Sequence, residues 1–368
     1  MDTIYFFGSF PNISEPFCGG GEEGNLRTVL LLRRLGYKVR IVKKIRCKAN
    51  ASRFVKNSTY PFRLTIGVLL FANLLLFGSR KALVHISGFY GPTIFSEYLL
   101  ALLSRMFGYK YIYEMRGGGA ETFHNNGSSL YRRCFQSIID NAKVIFSQGI
   151  ENEPFLRRLT DTPIFYYPNF IRQDELPGSL PQKSTDIVNL VYFGRIVPQK
   201  NVRLIVDIAT IIQQHVNASL TIIGNGDKNY EAEVQSAMER QLKAGTFTFI
   251  PGHSHKQMKN LLLDKHFLLF PSVLDREGHS NTITEAMSCG VVPISSPQGF
   301  SRTVVGDASL IIDGLSAQNY ATRVLEIIDN KLFDNISKSV FDRVADNFSE
   351  KEVGERLKSQ YDKLFAED

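Results

Sequence analysis

Short apolar runs alternate with longer amphipathic stretches along the chain. The runs Thr3–Phe7, Lys38–Val42, Leu83–Ser87, Tyr109–Glu114 and Val144–Ser147 predict strands, because short continuous apolar segments suit strands covered on both faces. A second series follows at Val188–Phe193, Ser219–Ile223, Thr246–Ile250, Phe267–Phe270 and Val291–Ser295. Helical stretches intervene at Val202–His215, Lys228–Leu242, Lys256–Leu263 and Thr282–Cys289. Between the series, Pro168-Asn169 and the Pro-, Gly- and Ser-rich stretch from Asp174 to Asp186 read as a break and a linker. Strand–helix alternation twice over predicts an α/β chain of two doubly wound, Rossmann-like domains. Ligands of such sheets sit outside the carboxyl ends of the strands, so residues just after strands are weighed first, and a cleft between the two domains is the expected site.

Two loops of the second series stand out. Gly194-Arg195-Ile196-Val197-Pro198-Gln199-Lys200 follows a strand and leads into a helix. Arg195 offers a planar fork and Lys200 a mobile point charge, a pair suited to diphosphate oxygens. The other loop runs from Phe270 through Glu277-Gly278-His279-Ser280-Asn281-Thr282 to Glu285 and Gly290. A helix start bears free N–H groups that hold an anion, while Glu277 and Glu285 suit sugar hydroxyls. Thr282-x-x-Glu285 also fits a capping box, which would give Glu285 a purely structural task.

In the first series, Gly19-Gly20-Gly21 lies between a strand and a helix, in a spacing that is not G-x-G-x-x-G. Arg116, at the end of Tyr113-Glu114-Met115-Arg116, is either a cleft cation or an arginine satisfied by a neighbouring carboxylate.

These stretches resemble the retaining glycosyltransferases of family 4. The resemblance rests on G-R-x-x-x-x-K at Gly194–Lys200, Ile223-Gly224-Asn225-Gly226-Asp227, and E-G-x-x-N-x-x-x-E-A-M-x-C-G at Glu277–Gly290, and runs from the Gly19–Gly21 loop to about Asp313. It implies the GT-B fold, two Rossmann-like domains facing across a cleft. It also implies that Arg195 and Lys200 bind the donor diphosphate, Glu285 the ribose, and Glu277 with the following loop the donor sugar. The Gly19–Gly21 loop would close over donor and acceptor. Two departures matter: Arg116 stands where the family often has His, and Gln298-Gly299-Phe300-Ser301-Arg302 where it often has Gly-Gly-x-x-Glu. The expected domains are 1–173, a linker at 174–186, 187–345, and a C-terminal helix at 346–368 that returns toward the first domain.

Composition narrows the function. A chain of 368 residues with 43% hydrophobic and 21% charged residues is globular and long enough for two cores. Cys18, Cys47, Cys134 and Cys289 are far apart, so no zinc or redox motif is expected, and no D-x-D metal motif is visible. The expected cofactor is none, with a nucleotide-diphosphate sugar, UDP favoured, as donor substrate. Residues 1–173 hold 23 Lys and Arg against 11 Asp and Glu and the remainder 20 against 25, dividing the net +7 into +12 and −5. The basic half suits an anionic partner. Lys43, Lys44, Arg46, Lys48, Arg53, Lys56 and Arg63 lead into the apolar run Leu64–Phe77, which is either a buried helix or a membrane contact. A basic–aromatic nucleic-acid module is not seen. The expectation is a cytoplasmic, peripherally membrane-bound transferase acting on a glycan or lipid-linked acceptor. Another GT-B activity, such as nucleotide-sugar epimerisation or synthesis of a soluble glycoside, is the alternative.

Overall fold

The computed structural model describes residues 1–11, 20–45, 52–91, 93–252, 255–274 and 276–367. Gly19, Cys18, Arg46, Cys47 and Lys48 lie outside these, as do the side chains of Arg53 and Lys56. The chain divides into two compact units, Met1–Pro168 with Gly354–Asp368, and Asn169–Val353.

The first unit holds a six-stranded parallel sheet of β1 (Thr3–Gly8), β2 (Lys38–Lys43), β3 (Leu83–Gly88), β4 (Tyr111–Met115), β5 (Val144–Ser147) and β6 (Ile164–Tyr166), ordered β2-β1-β3-β4-β5-β6. Three-residue β6 was not expected, because a run that short carries no periodicity. Tyr5, Val84, Ile86, Tyr111, Tyr113 and Ile145 lie in its core. The helix Glu350–Ala366 delivers Tyr361 to this unit, where its ring stacks on His85 at 6.3 Å between centroids. Tyr37 donates to Asp362, the next residue on that helix.

The helix Tyr60–Phe77 is mostly outside the core of this unit. It buries only Phe71 and Leu75, while Phe62, Leu69, Leu70, Leu76 and Phe77 are exposed. It is eighteen residues long and, by length and composition, apolar enough to cross a membrane. Yet it is tied to the sheet near its end. Tyr109 donates to the Leu75 carbonyl at 2.7 Å, and the Ser79 N–H donates to the Tyr5 hydroxyl at 2.6 Å. The chain then enters β3 at Leu83.

The second unit holds a five-stranded parallel sheet of β7 (Val188–Phe193), β8 (Ala218–Ile223), β9 (Phe247–Ile250), β10 (Phe267–Phe270) and β11 (Val292–Ser295), ordered β11-β10-β7-β8-β9. Strand order reverses between β7 and β10, and the carboxyl ends of those strands open the crevice where such sheets bind ligands. The stretch 174–186 has no helix or strand and is stitched to this unit. Lys259 donates to the Leu176 carbonyl at 2.7 Å, and His266 Nε2 lies 2.8 Å from the Ser184 carbonyl.

Candidate active site

At the reversal between β7 and β10, two loops are laced together. The Val273 N–H donates to the Gln199 carbonyl at 2.9 Å, and the Asn201 side chain donates to the Pro271 carbonyl at 3.1 Å. Asn201 adopts the left-handed conformation, φ 50°, which asparagine tolerates better than most residues. It ends the turn Pro198–Lys200 and begins the helix Val202–His215.

Lacing brings Lys200 onto Glu277. Nζ and Oε2 form an ion pair, with side-chain exposures of 9% and 13%. Ser272 donates to the same carboxylate oxygen at 3.2 Å, and the ammonium sits 4.7 Å from the Phe270 ring centroid. Burial lowers the Lys200 pKa below the ordinary lysine value, although Glu277 pulls the other way. The residues expected to hold phosphate and sugar are thus each other's partners. Arg195 is exposed and makes no ion pair among the described residues. Its carbonyl accepts from the Tyr192 hydroxyl at 2.7 Å.

Glycines make the walls of this crevice. Gly194 has φ +139°, and a Cβ there would lie 3.6 Å from the Thr282 hydroxyl. Gly224, φ +155°, faces the Gly194 carbonyl so closely that a Cβ would stand 1.9 Å from it. Gly299, φ +60°, meets the Glu277 carbonyl in the same way, at 2.2 Å. Gly299 therefore supports the Glu277 backbone from the segment that departs from the family pattern. Arg302 of that segment turns to Asp313, 2.7 Å away.

The helix after β10 starts one residue earlier than expected, spanning Asn281–Met287 with Ser280 as N-cap. Thr282 is therefore inside the first turn, and its hydroxyl donates to the Phe193 carbonyl at 3.3 Å. The capping-box reading fails on this geometry, because Glu285 lies five residues past the cap instead of three. Glu285 is buried on the helix at 8% exposure. The helical ladder begins with the Thr284 N–H bonded to the Ser280 carbonyl. The N–H groups of Asn281, Thr282 and Ile283 thus precede it, with Gly194 near Thr282.

His279 departs from the sequence expectation. Its ring packs edge-on against Phe348 at 4.9 Å, and Nε2 lies 2.7 Å from the Thr284 hydroxyl. That hydroxyl already donates to the Ser280 carbonyl at 3.2 Å, so His279 Nε2 carries the proton. Burial and the Arg343 charge push its pKa down to about 3. The side chain is a neutral strut, not a donor contact, because it faces the interior.

Of the two readings of Arg116, the arginine satisfied by a neighbouring carboxylate is the one seen. It is 4% exposed and pairs with Glu114 at 2.6 Å, while Glu114 holds His85 Nε2 at 2.9 Å. Burial raises the Glu114 carboxyl, but the Arg116 charge and the His85 bond outweigh it and hold the pKa low. Arg116 therefore neutralises an internal carboxylate. Gly20 and Gly21 open the helix Gly20–Arg34 instead of forming a loop, and a Cβ on Gly21 would stand 2.6 Å from Phe89.

Sequence reasoning missed Ser272, Asn201 and Gly299, whose roles depend on partners distant along the chain. It also missed Asn25, which donates to the Ser9 carbonyl and accepts from Ser87, each at 2.8 Å, at the reversal between β1 and β3.

Solved structures with the same fold include sucrose-phosphate synthase from Thermosynechococcus elongatus, TM-score 0.78 at 17% identity, covering 100% of both chains. A glycosyltransferase from Rickettsia africae reaches 0.76 at 15% identity, covering 99% of this chain and 98% of that one. Anabaena Alr3699/HepE in complex with UDP reaches 0.70 at 13% identity, covering 99% and 100%. In sequence, the chain is 23% identical over 322 residues to a phosphatidylinositol N-acetylglucosaminyltransferase subunit of Arabidopsis thaliana, 84% of this chain and 68% of that one. It is 24% identical over 148 residues to O-antigen chain mannosyltransferase B of Escherichia coli, 40% and 38% respectively. The fold is GT-B. Residues 173–341, which carry the β7–β10 crevice, match the family model of glycosyl transferases group 1.

Proposed function

We propose that the chain transfers a hexosyl group, with retention, from a nucleotide-diphosphate sugar to a glycan or lipid-linked glycan acceptor in surface polysaccharide synthesis. The observation that carries this reading is the Lys200–Glu277 pair at the β7–β10 reversal, with exposed Arg195 on the same loop. Negative charge grows on the departing diphosphate, and preorganised cations and helix N–H groups lower that barrier. Lys200 and Arg195 supply the charge, so the proposal needs no divalent metal. The donor diphosphate takes a share of Lys200, and Glu277 then turns its carboxylate to the sugar hydroxyls as a positioning group. Glu285 holds the ribose. UDP is the favoured nucleotide, in line with the UDP complex of the Anabaena neighbour. The names of the Arabidopsis and Escherichia coli relatives, a phosphatidylinositol- and an O-antigen-directed transferase, favour a lipid-linked acceptor. The exposed apolar helix Tyr60–Phe77 and the basic first unit favour work at the cytoplasmic face of a membrane.

The test is turnover of UDP- and GDP-sugars with lipid-linked acceptors in excess EDTA. Full activity is expected there, with Lys200→Ala or Arg195→Ala about 100-fold slower or worse. Near-native turnover in both variants would reject the diphosphate clamp, and loss restored only by a divalent ion would reject metal independence.

A further inference from the structure

Two neighbouring helices of the first unit each turn an apolar stripe outward. On the helix Tyr60–Phe77, Phe62, Leu69 and Leu76 are exposed. They recur every seventh residue, close to two turns, so they share one face. The helix Ile94–Met106 buries Ile94, Leu100, Ala101 and Ser104, and leaves Phe95, Leu99 and Met106 exposed. Those three also fall on one face, four and then seven residues apart. The helices pack on each other, with Leu64 and Val68 of one and Ser96 and Leu100 of the other around the same small gap. A continuous apolar surface on two packed helices is an interaction site, unlike scattered single residues.

Charge selects the occupant. From Tyr60 to Lys110 the chain has five Lys and Arg and a single acid, Glu97. Glu97 is buried and accepts from Thr93 at 2.6 Å, Tyr113 at 2.7 Å and the Phe89 N–H at 3.0 Å. Arg80, Lys81 and Arg105 are exposed near the ends of the two helices, and Arg80 donates to the Phe107 carbonyl at 2.7 Å. A second copy meeting this face by two-fold symmetry would set like charges against each other. An anionic bilayer offers hydrocarbon to the stripes and phosphate to the cations. The first helix does not cross such a bilayer in this fold. A spanning helix meets lipid along about 30 Å. Here Phe71 and Leu75 are fully buried, the Leu75 carbonyl accepts from Tyr109, and only five residues separate Phe77 from β3.

We infer that the helices Tyr60–Phe77 and Ile94–Met106 form one face that lies in a single leaflet of an anionic membrane. The apolar stripes sit at the acyl boundary, and Arg80, Lys81 and Arg105 lie among the lipid phosphates. This face rests on the membrane reading above, to which it adds the second helix and the depth. The intact chain is sedimented with phosphatidylcholine vesicles with and without phosphatidylglycerol. Binding is expected with phosphatidylglycerol. Leu99→Ser with Met106→Ser should weaken it about tenfold, as should Leu69→Ser with Leu76→Ser. Lys81→Gln with Arg105→Gln should weaken it about fivefold per charge. These side chains lie on the surface, so the melting temperature should stay close to the wild-type value. The chain contains no Trp, so Leu69→Trp or Met106→Trp supplies a single emitter. Lipids brominated near the headgroup end of the acyl chain should quench either Trp more than lipids brominated near its tip. Wild-type protein indifferent to both vesicles would overturn the membrane reading and this face together. Binding untouched by Leu99→Ser with Met106→Ser would remove the second helix and leave the membrane reading standing. Stronger quenching at the chain tip would overturn the single-leaflet depth. A concentration-dependent dimer dispersed by the same serine variants, without vesicle binding, would assign the face to a second copy.

Discussion

Lys200 and Glu277 neutralise each other in a nearly buried place. Removing one member of such a pair strands the other, whereas removing both charges leaves neither unpaired. Lys200→Met is therefore expected to lower unfolding free energy by about 3 kcal/mol, and Lys200→Met with Glu277→Gln to recover part of it. Urea unfolding measures both, and no recovery in the double variant would argue against the pair. Activity should stay low in either protein, separating the structural cost from the chemical one. His279 gives a second prediction at this scale. Its folded pKa of about 3 lies below the unfolded value near 6.5. Between those values the unfolded chain binds a proton that the folded chain refuses, so stability falls as pH drops through that window and is unaffected above it. From pH 6.5 to 5 the loss is about 2 kcal/mol. His279→Gln should abolish that part of the difference between unfolding curves at pH 7 and pH 5. An unchanged difference would show that His279 is not held neutral.

Among the elements, the loops after β7 and β8 touch backbone to backbone. The Gly194 N–H donates to the Ile223 carbonyl at 3.0 Å, and the Ile196 N–H to the Asn225 carbonyl at 3.0 Å. A side chain on Gly224 or Gly226 would occupy the space of the Gly194 or Ile196 carbonyl. Gly224→Ala combines that clash with a φ that L-residues avoid, so a loss of at least about 3 kcal/mol is expected, together with weaker donor binding. Thermal unfolding and nucleotide titration report the two effects. A stable variant with normal binding would mean that the loops part easily. This contact explains the glycines of Ile223-Gly224-Asn225-Gly226 physically: they let the loop after β8 set the position of Gly194-Arg195.

On the scale of the molecule, the second unit contains its own core and the β7–β10 crevice, whereas the first is completed by the far end of the chain. Leu357, Tyr361 and Leu364 are buried there, and Tyr361 packs on His85 and Phe146. Ending the chain after Val353 removes these three side chains, a loss on the order of 5 kcal/mol of burial. Hydrogen exchange on the truncated protein should show lost protection in β1 and β3–β5 and little change in β7–β11. Uniform loss across both sheets would contradict separate cores.

The sequence by itself determined most strands, the division into two parallel sheets and the chemical character of the crevice loops. These depend on local matters: apolar run length, glycine placement and charge next to a strand end. It could not decide what depends on neighbours remote in the chain. Arg116 and His279 look functional as letters, but one neutralises Glu114 and the other faces Phe348. Leu64–Phe77 is apolar enough for a core helix, and only the sheet behind it shows that most of it is left outside. Glu285 fits a capping box by its spacing from Thr282, and only the helix start at Asn281 takes it out of capping range. The pairing of Lys200 with Glu277, 77 positions apart, arises because β10 lies beside β7, a topological fact that no local pattern encodes.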